Sequence, residues 1–174
     1  METQMTAKSL GSRLSQVAWV VKDIRRAERF FNEVIGVPEF LKMENLNSAE
    51  LEGTYFGKPA DYTFHLYLAY SGNSMVELIQ PVSGKSIFQD FLDSQPDGGV
   101  QHIAVMVPVA ELEEAASKLT AKGYSVITSL RLPVASVVFF DTTKEIGMVT
   151  EIIGLTEAGV ELIQQMKGTK PVEA

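Results

Sequence analysis

The feature of this chain that most restricts its fold is an internal repeat. Residues 16–23 read QVAWVVKD, and residues 102–109 read HIAVMVPV. Both segments are rich in the β-branched and apolar residues that are typical of buried strands. Each begins with a polar residue that can bind a metal, Gln16 in the first segment and His102 in the second. The pattern predicts a duplicated module.

A second pair of segments supports the duplication. Residues 75–80 read MVELIQ and residues 149–154 read VTEIIG, so Glu77 matches Glu151. The spacing within each copy is similar, 61 residues in the first (77 − 16) and 49 in the second (151 − 102). A longer surface loop explains the difference, because lengthening a loop costs little free energy. Two copies that repeat the same polar positions predict one polar site shared between them.

Composition and charge exclude several classes of function. The 174 residues have a net charge of −7 and no stripe of lysine and arginine, which argues against a nucleic-acid partner. No apolar run approaches the ~18 residues that span a bilayer, and the N-terminus lacks a secretory signal. We therefore expect a cytoplasmic protein without a membrane partner. Because the chain has no cysteine, any metal must be held by nitrogen and oxygen.

The hydrophobic periodicity predicts the element order β-α-β-β-β in both copies. The expected fold class is α+β, with two tandem βαβββ modules forming a curved mixed sheet around a shared cleft. The stretch 47–61 is predicted to be a loop, and a strand that begins at residue 74 is expected to end at Pro81. The predicted organisation is a first module at 13–81, a linker with a short helix at 82–99, a second module at 100–154, and a C-terminal helix and tail at 155–174. Residues 1–12 and 168–174 are expected to be loose.

The alternation of side chains along a strand places the repeated residues on one face. Gln16 shares a face with Ala18, and His102 shares a face with Ala104. One face of each module must receive its helix, and the polar residues fit better on the opposite, concave face. An unpaired carboxylate buried there would cost several kcal/mol, and a divalent cation would remove that cost.

The four residues Gln16, Glu77, His102 and Glu151 offer three oxygen donors and one imidazole. This donor set suits an open octahedral site for Mn²⁺, Co²⁺, Ni²⁺, Fe²⁺ or Mg²⁺, with Zn²⁺ as a further candidate. Two positions remain for water or substrate oxygens. Taken singly, each residue also fits a structural role, as a solvated strand end or a hydrogen-bonded core histidine. Their repetition in register favours the shared metal site.

These segments resemble the vicinal oxygen chelate superfamily, which includes glyoxalases, methylmalonyl-CoA epimerases, ring-cleaving dioxygenases and bleomycin-resistance proteins. The resemblance covers residues 14 to 154, and the epimerase-like branch is the most similar because of the VELIQP strand, the linker helix and the GGVQHIAV segment. It implies metal ligands on the first and fourth strands of each module. Carried onto this sequence, these ligands are Gln16, Glu77, His102 and Glu151.

The sequence departs from this family at one ligand. The first ligand is usually histidine, and Gln16 stands in its place. Ring-cleaving dioxygenases generally hold iron with two histidines and one glutamate, which makes that chemistry the third hypothesis here. A metal-free descendant that binds and sequesters a small planar ligand would also tolerate the change.

The resemblance implies a proton-transferring group. His65 lies at about the place of a catalytic glutamate in the epimerases, and histidine can exchange a proton near neutral pH. Strand parity groups His65 with Tyr67, and this polar pair is expected to face the cleft. The alternative is a histidine without a chemical role. Glu151 is the second candidate base, acting as ligand and base in turn.

The leading hypothesis is a metal-dependent epimerase, isomerase or lyase. Its small-molecule substrate would bind the cation through two neighbouring oxygens and lose a proton beside the polarised carbonyl. Candidate substrate contacts are Tyr55, Tyr67, Tyr70 and Arg131. An acyl-CoA is one candidate substrate, although no basic cluster for its phosphates is evident in the sequence. A homodimer is expected from the family resemblance and the C-terminal helix.

Overall fold

The first copy of the repeat forms half of a single sheet. A computed structural model describes Leu10 and residues 14–168, so the expected loose ends lie outside the described residues except for Leu10 and Gly168. The elements of this half, in chain order, are β1 (Leu14–Val20), α1 (Ile24–Phe30), β2 (Leu41–Asn47), β3 (Thr54–Tyr55), β4 (Lys58–Pro59), β5 (Thr63–Ser71) and β6 (Ser74–Ser83).

Helix α1 is capped at its start by a side chain and is followed by a glycine stop. The Asp23 carboxylate accepts a hydrogen bond from the backbone N–H of Arg26 over 2.9 Å, which caps the first turn. The helix continues as one π-helical turn, Phe31–Ile35. Gly36 then ends it with a φ of 79°, a left-handed conformation that glycine adopts without a steric penalty.

The second copy repeats the β-α-β-β-β order that β1, α1, β2, β5 and β6 form in the first. A linker helix, α2 (Ile87–Ser94), comes first, and the Ser86 hydroxyl caps it by accepting from the N–H of Gln89. The remaining elements are β7 (Gly99–Pro108), α3 (Leu112–Ala121), β8 (Val126–Arg131), β9 (Ala135–Phe140), a short α4 (Thr143–Ile146), β10 (Val149–Leu155) and α5 (Glu157–Lys167). A 3₁₀ turn at Val109–Glu111 precedes α3.

The two copies join edge to edge into one mixed sheet of ten strands. Its order is β2-β5-β6-β1-β7-β10-β9-β8-β3-β4, with β1 and β7 antiparallel at the junction. Within each copy the first and last strands are parallel neighbours, β1 with β6 and β7 with β10. The sheet curves into a half-barrel, which confirms the predicted α+β fold with its curved mixed sheet.

Two local predictions are wrong. The stretch 47–61 is not a simple loop, because it carries β3 and β4, and β3 pairs with the edge of the second module through Thr54 and Ser129. The last strand of the first module does not end at Pro81 but continues to Ser83. Proline is tolerated there because β1 pairs with β6 only as far as Ile79, so no neighbour on that side needs its N–H.

Three apolar clusters hold the layers together. One lies between α1 and the outer face of the first module and includes Ile24, Tyr67 and Leu78. A smaller one lies beneath α3 and includes Leu119 and Ile152. The largest fills the concave side, where α2 and α5 pack against strands of both modules.

Helix α5 crosses the concave side. The Thr156 hydroxyl caps it, and both the backbone N–H and the hydroxyl of Thr156 donate to the carbonyl of Val134. Gly159 lets the helix approach closely, since an added Cβ would lie 2.3 Å from that same carbonyl oxygen. Along residues 14–168, no helix has the length and apolar character needed to cross a membrane.

Candidate metal centre

The junction between the modules places the repeated residues symmetrically. Across β1 and β7, Gln16 lies opposite Ala104 and Ala18 lies opposite His102. Gln16 corresponds to His102 in the repeat, and Ala18 corresponds to Ala104. The polar residue of each strand therefore pairs with the equivalent alanine of the other strand. This register brings the first polar residue of each copy to the centre of the sheet.

The two glutamates reach the same point from the flanking strands. Glu77 on β6 lies opposite Ala18, and Glu151 on β10 lies opposite Ala104. Both alanines are fully buried. Their methyl groups leave the space above the junction to the longer side chains beside them, so all four polar residues converge on the concave face, as the sequence predicts.

The four side chains are in mutual contact. His102 Nε2 lies 3.4 Å from Glu77 Oε1 and 3.3 Å from Glu151 Oε2. The Gln16 amide nitrogen donates to Glu151 Oε2 over 3.0 Å and lies 3.4 Å from His102 Nε2. The most exposed member of the group, Glu77, has only 6% of its surface accessible. Two carboxylates are therefore buried together around one imidazole.

A β-bulge fixes the histidine. On β7, His102 pairs with Ala18 of β1, and the next pair is Val100 with Trp19. Gln101 is therefore an extra, unpaired residue, and the bulge changes the direction of its side chain. Its side-chain oxygen lies 2.6 Å from His102 Nδ1, which turns Nε2 toward the glutamates. A matching bulge makes Ser15 the extra residue before Gln16. Periodicity gives no signal for such bulges, so the sequence pattern does not predict a role for Gln101.

The electrostatics of the cluster follow from its burial. Burial acts to lower the pKa of His102, but hydrogen bonds and charge attraction from Glu151 and Glu77 outweigh it and raise that pKa to about 9. Burial also raises the pKa of Glu77, and the negative charge of Glu151 adds to this, against the hydrogen bond with His102. Burial and the neighbouring carboxyl group thus oppose ionisation of Glu77, while both glutamates favour the protonated imidazole of His102.

The donor atoms fit a divalent cation. One ligand atom each from Glu77, His102 and Glu151 lies within 4.8 Å of the others. Octahedral ligands at about 2.1 Å from a metal lie about 3 Å from their neighbours, close to the 3.3 and 3.4 Å seen here. Gln16 adds a further donor, because its buried Oε1 has no hydrogen-bond partner. Rotation of this amide would turn an oxygen toward the other three donors.

A cavity opens directly above this cluster. Its volume is about 100 Å³, and Gln16, Glu77 and Glu151 contribute polar groups to its floor. Its walls are apolar side chains from both modules and from the inner face of α5. The sequence predicts the C-terminal helix but not its position over the cleft.

Comparison with known proteins identifies the family. The model for the Glyoxalase/Bleomycin resistance protein/Dioxygenase superfamily matches residues 15–139. The chain belongs to this superfamily. The matched region contains Gln16, Glu77 and His102 and ends before Glu151. No curated protein sequence matches the chain.

Several solved structures share the fold of this chain. A hypothetical protein from Bacillus halodurans C-125 is 21% identical with a TM-score of 0.64, covering 84% of this chain and 96% of its own. Methylmalonyl-CoA epimerase from Mycobacterium tuberculosis is 17% identical with a TM-score of 0.62, covering 91% and 97%. A methylmalonyl-CoA epimerase in complex with methylmalonyl-CoA and NH4+ is 21% identical with a TM-score of 0.59, covering 86% and 96%. At sequence identities this low, the similarity is evidence for a shared fold alone.

The predicted placement of His65 and Tyr67 in the superfamily's cleft is wrong. Both lie on the opposite face of β5, and the cavity is lined instead by Phe64, Leu66 and Leu68 of that strand. Tyr67 packs beneath α1 and donates a 2.6 Å hydrogen bond to Glu44. His65 Nδ1 accepts from the N–H of Asn45 over 3.0 Å. Both side chains form hydrogen bonds on the outer face of the sheet, so neither depends on a polar partner in the cleft.

The other predicted substrate contacts also lie away from the cavity. Tyr55 donates a hydrogen bond to Asp90. Arg131 is exposed and pairs with Glu52 over 3.0 Å. Tyr70 is buried on the concave side, but it lies at the rim, where Lys167 Nζ of α5 stands 5.0 Å from its ring centre. None of the four predicted contacts lines the cavity above the polar cluster.

Proposed function

We propose that this protein is a metalloenzyme that removes a proton next to a carbonyl group. It would bind one divalent cation through Gln16, Glu77, His102 and Glu151, two residues from each module. The observation that carries this proposal is the burial of two carboxylates around one histidine at the floor of a cavity. A divalent cation accounts for that arrangement better than the histidine alone.

Charge supports a divalent cation at this place. If both glutamates are ionised, the cluster has a net charge of about −1 with His102 protonated and about −2 with His102 neutral. Among the described residues, no lysine or arginine lines the cavity. Uncompensated buried charge is costly, and a cation held by both glutamates removes the cost. When bound, such a cation would polarise a substrate carbonyl and acidify the adjacent C–H.

The lining of the cavity offers two candidates for the proton acceptor. Glu77 and Glu151 are the two ionisable residues among its described walls, and His65 lies outside it. We assign the base to Glu151, which would take the proton. The planar enolate would then regain a proton from Glu151 on the same face or from Glu77, the second carboxyl group of the cavity floor, on the other face. Return to the opposite face gives an epimerase, return elsewhere gives an isomerase, and loss of a neighbouring group gives a lyase.

The solved relatives favour epimerisation within this set. Two of them are methylmalonyl-CoA epimerases, and one holds methylmalonyl-CoA together with a cation, NH4+. An acyl-CoA is thus one candidate for the substrate. Homodimer formation and a cytoplasmic location stay predictions of the sequence.

Hydrogen exchange tests the proposed reaction. The Co²⁺-loaded protein is incubated in D₂O with methylmalonyl-CoA and, separately, with a set of 2-oxo acids, and deuterium uptake is followed by mass spectrometry. We expect uptake with at least one of these compounds, and a loss of about 10²–10⁴-fold in the Glu151→Gln variant. His65→Gln is the control and should keep the wild-type rate. Equal exchange by wild type and Glu151→Gln would contradict the proposed role of Glu151.

The second candidate is a metal-free binding protein. Its supporting observation is that the cluster is already hydrogen-bonded without a cation, since Gln16 donates to Glu151 and His102 contacts both glutamates. Treatment with a chelator separates the two functions. Ligand affinity that is unchanged after complete metal removal would favour the binding protein over the enzyme.

A further inference from the structure

The cavity above the metal-centre residues is almost entirely apolar. Apart from Gln16, Glu77 and Glu151, its walls carry only apolar side chains and Gly159. Strands of the first module contribute Leu66 and Met75, and strands of the second contribute Val137 and Ile153. A ligand in this space gains free energy by removing its own apolar surface from water, and it finds no polar partner above the floor.

Several walls are adaptable. Four of the five methionines within residues 14–168 line this cavity, namely Met43, Met75, Met106 and Met166. Methionine is unbranched and flexible, and it fills irregular space without fixing one shape. The observed volume of about 100 Å³ is below the roughly 300–1,000 Å³ of usual ligand pockets, so these side chains must rearrange to admit a ligand.

Helix α5 closes the cavity from the outside. Its inner face presents Leu162, Ile163 and Met166 to the cavity. Its start is bound to Val134 of the second module, and its end lies against Tyr70 of the first through Lys167. The helix therefore bridges both halves and places a third apolar wall opposite the polar floor.

We propose that the substrate is an apolar molecule, an alkyl or aryl group, that carries two neighbouring oxygens at one end only. The oxygens would meet the cation at Gln16, Glu77, His102 and Glu151, and the apolar body would lie between the strands and α5. The inference rests on the proposed function for the polar end and on the cavity walls for the apolar end. The inference favours a free acid over its CoA ester, because the lining contributed by residues 14–168 holds no lysine or arginine for phosphates.

A homologous series of ligands tests the proposed substrate class. The Co²⁺-loaded protein is titrated by calorimetry with straight-chain 2-oxo acids from pyruvate to 2-oxooctanoate, with phenylpyruvate, and with propionyl-CoA. Cobalt content is measured in the same samples by elemental analysis. We expect affinity to rise by about fourfold for each added methylene until the cavity is filled. Propionyl-CoA should bind no more tightly than the short free acids.

Two matched variants test whether the preference for chain length arises in this cavity. Met106→Ala enlarges the cavity and should shift the tightest binding toward longer acids. Met148→Ala removes the same atoms from a methionine that does not line the cavity, and it should leave the series unchanged. Circular dichroism of each variant establishes that it is folded. A shift of the preferred chain length in both variants, or in neither, would overturn the assignment of this cavity.

The outcomes separate the two proposals. Full cobalt content with an affinity that is flat along the series, or with tighter binding of propionyl-CoA, overturns the apolar substrate and leaves the metal site standing. Absence of bound cobalt, combined with affinity that still rises with chain length, overturns the metalloenzyme and supports the apolar ligand. Full cobalt content with rising affinity supports both.

Discussion

The amide nitrogen of Gln16 lies 3.0 Å from the Glu151 carboxylate, although 135 residues separate them in the chain. One residue belongs to the first module and the other to the second. Their contact exists because β1 and β7 join the modules and β10 pairs with β7. The polar cluster is thus a product of the duplication, and neither module alone can form it.

Replacing Gln16 by histidine should strengthen metal binding. An imidazole nitrogen is a better ligand for Co²⁺ or Zn²⁺ than a neutral amide oxygen, and the buried Oε1 of Gln16 has no partner to lose. We expect Gln16→His to lower the dissociation constant for Co²⁺ by about tenfold or more, measured by competition with a chelating dye. Gln164→His, on the exposed face of α5, is the control. Weaker binding in Gln16→His would show that residue 16 does not face the cation.

Metal affinity should rise with pH. In the metal-free protein the pKa of His102 is raised to about 9, so this residue holds a proton at pH 7 that a cation must displace. Binding should therefore release a proton below about pH 9 and become tighter as pH increases toward that value. Calorimetry in two buffers of different ionisation enthalpy measures the released protons. No proton release at pH 7 would contradict the raised pKa of His102.

Gln101 should support metal binding without being a ligand. It holds His102 through a 2.6 Å contact with Nδ1, and loss of such a support typically lowers metal affinity by about 10–100-fold. Gln101→Leu should show this loss in a cobalt titration. Gln101→Glu keeps an acceptor oxygen at this position and should retain binding. If both variants bind like wild type, the orientation of His102 does not depend on residue 101.

His65 should be dispensable for metal binding and catalysis. It lies on the face of β5 opposite the cavity, where its ring accepts a hydrogen bond from Asn45. We expect His65→Ala to change cobalt affinity and deuterium exchange by less than about twofold, with a stability loss of about 1 kcal/mol. A large loss of exchange with a normal melting temperature would show that His65 acts in the reaction.

The sequence predicted the cluster because symmetry carries information that single residues lack. Gln16 alone is an ordinary polar residue on a strand, and Glu77 alone could end a strand in solvent. Their repetition as His102 and Glu151 defined both the shared site and the common face. The alternation along each strand then placed all four on the concave side, as observed.

The alternation of side chains along β5 shows which residues share a face, but it does not show which face lines the cavity. His65 and Tyr67 do share a face, as predicted. They were expected to face the cleft because the cleft was expected to be the polar side of the sheet. The outer face in fact offers Glu44 to Tyr67 and the Asn45 backbone to His65. Contacts between distant segments, such as the pairing of β3 with β8, and bulges such as that at Gln101 have no periodic signal in the sequence.

The most direct test of the shared metal centre is the cobalt content of three proteins after equilibrium dialysis: wild type, His102→Ala and Glu151→Ala. Each is first checked for folding by circular dichroism. We predict about one cobalt ion per wild-type chain and less than a tenth of that in each variant. Equal cobalt content in all three folded proteins, or none in the wild type, would contradict a metal centre built from both halves of the repeat.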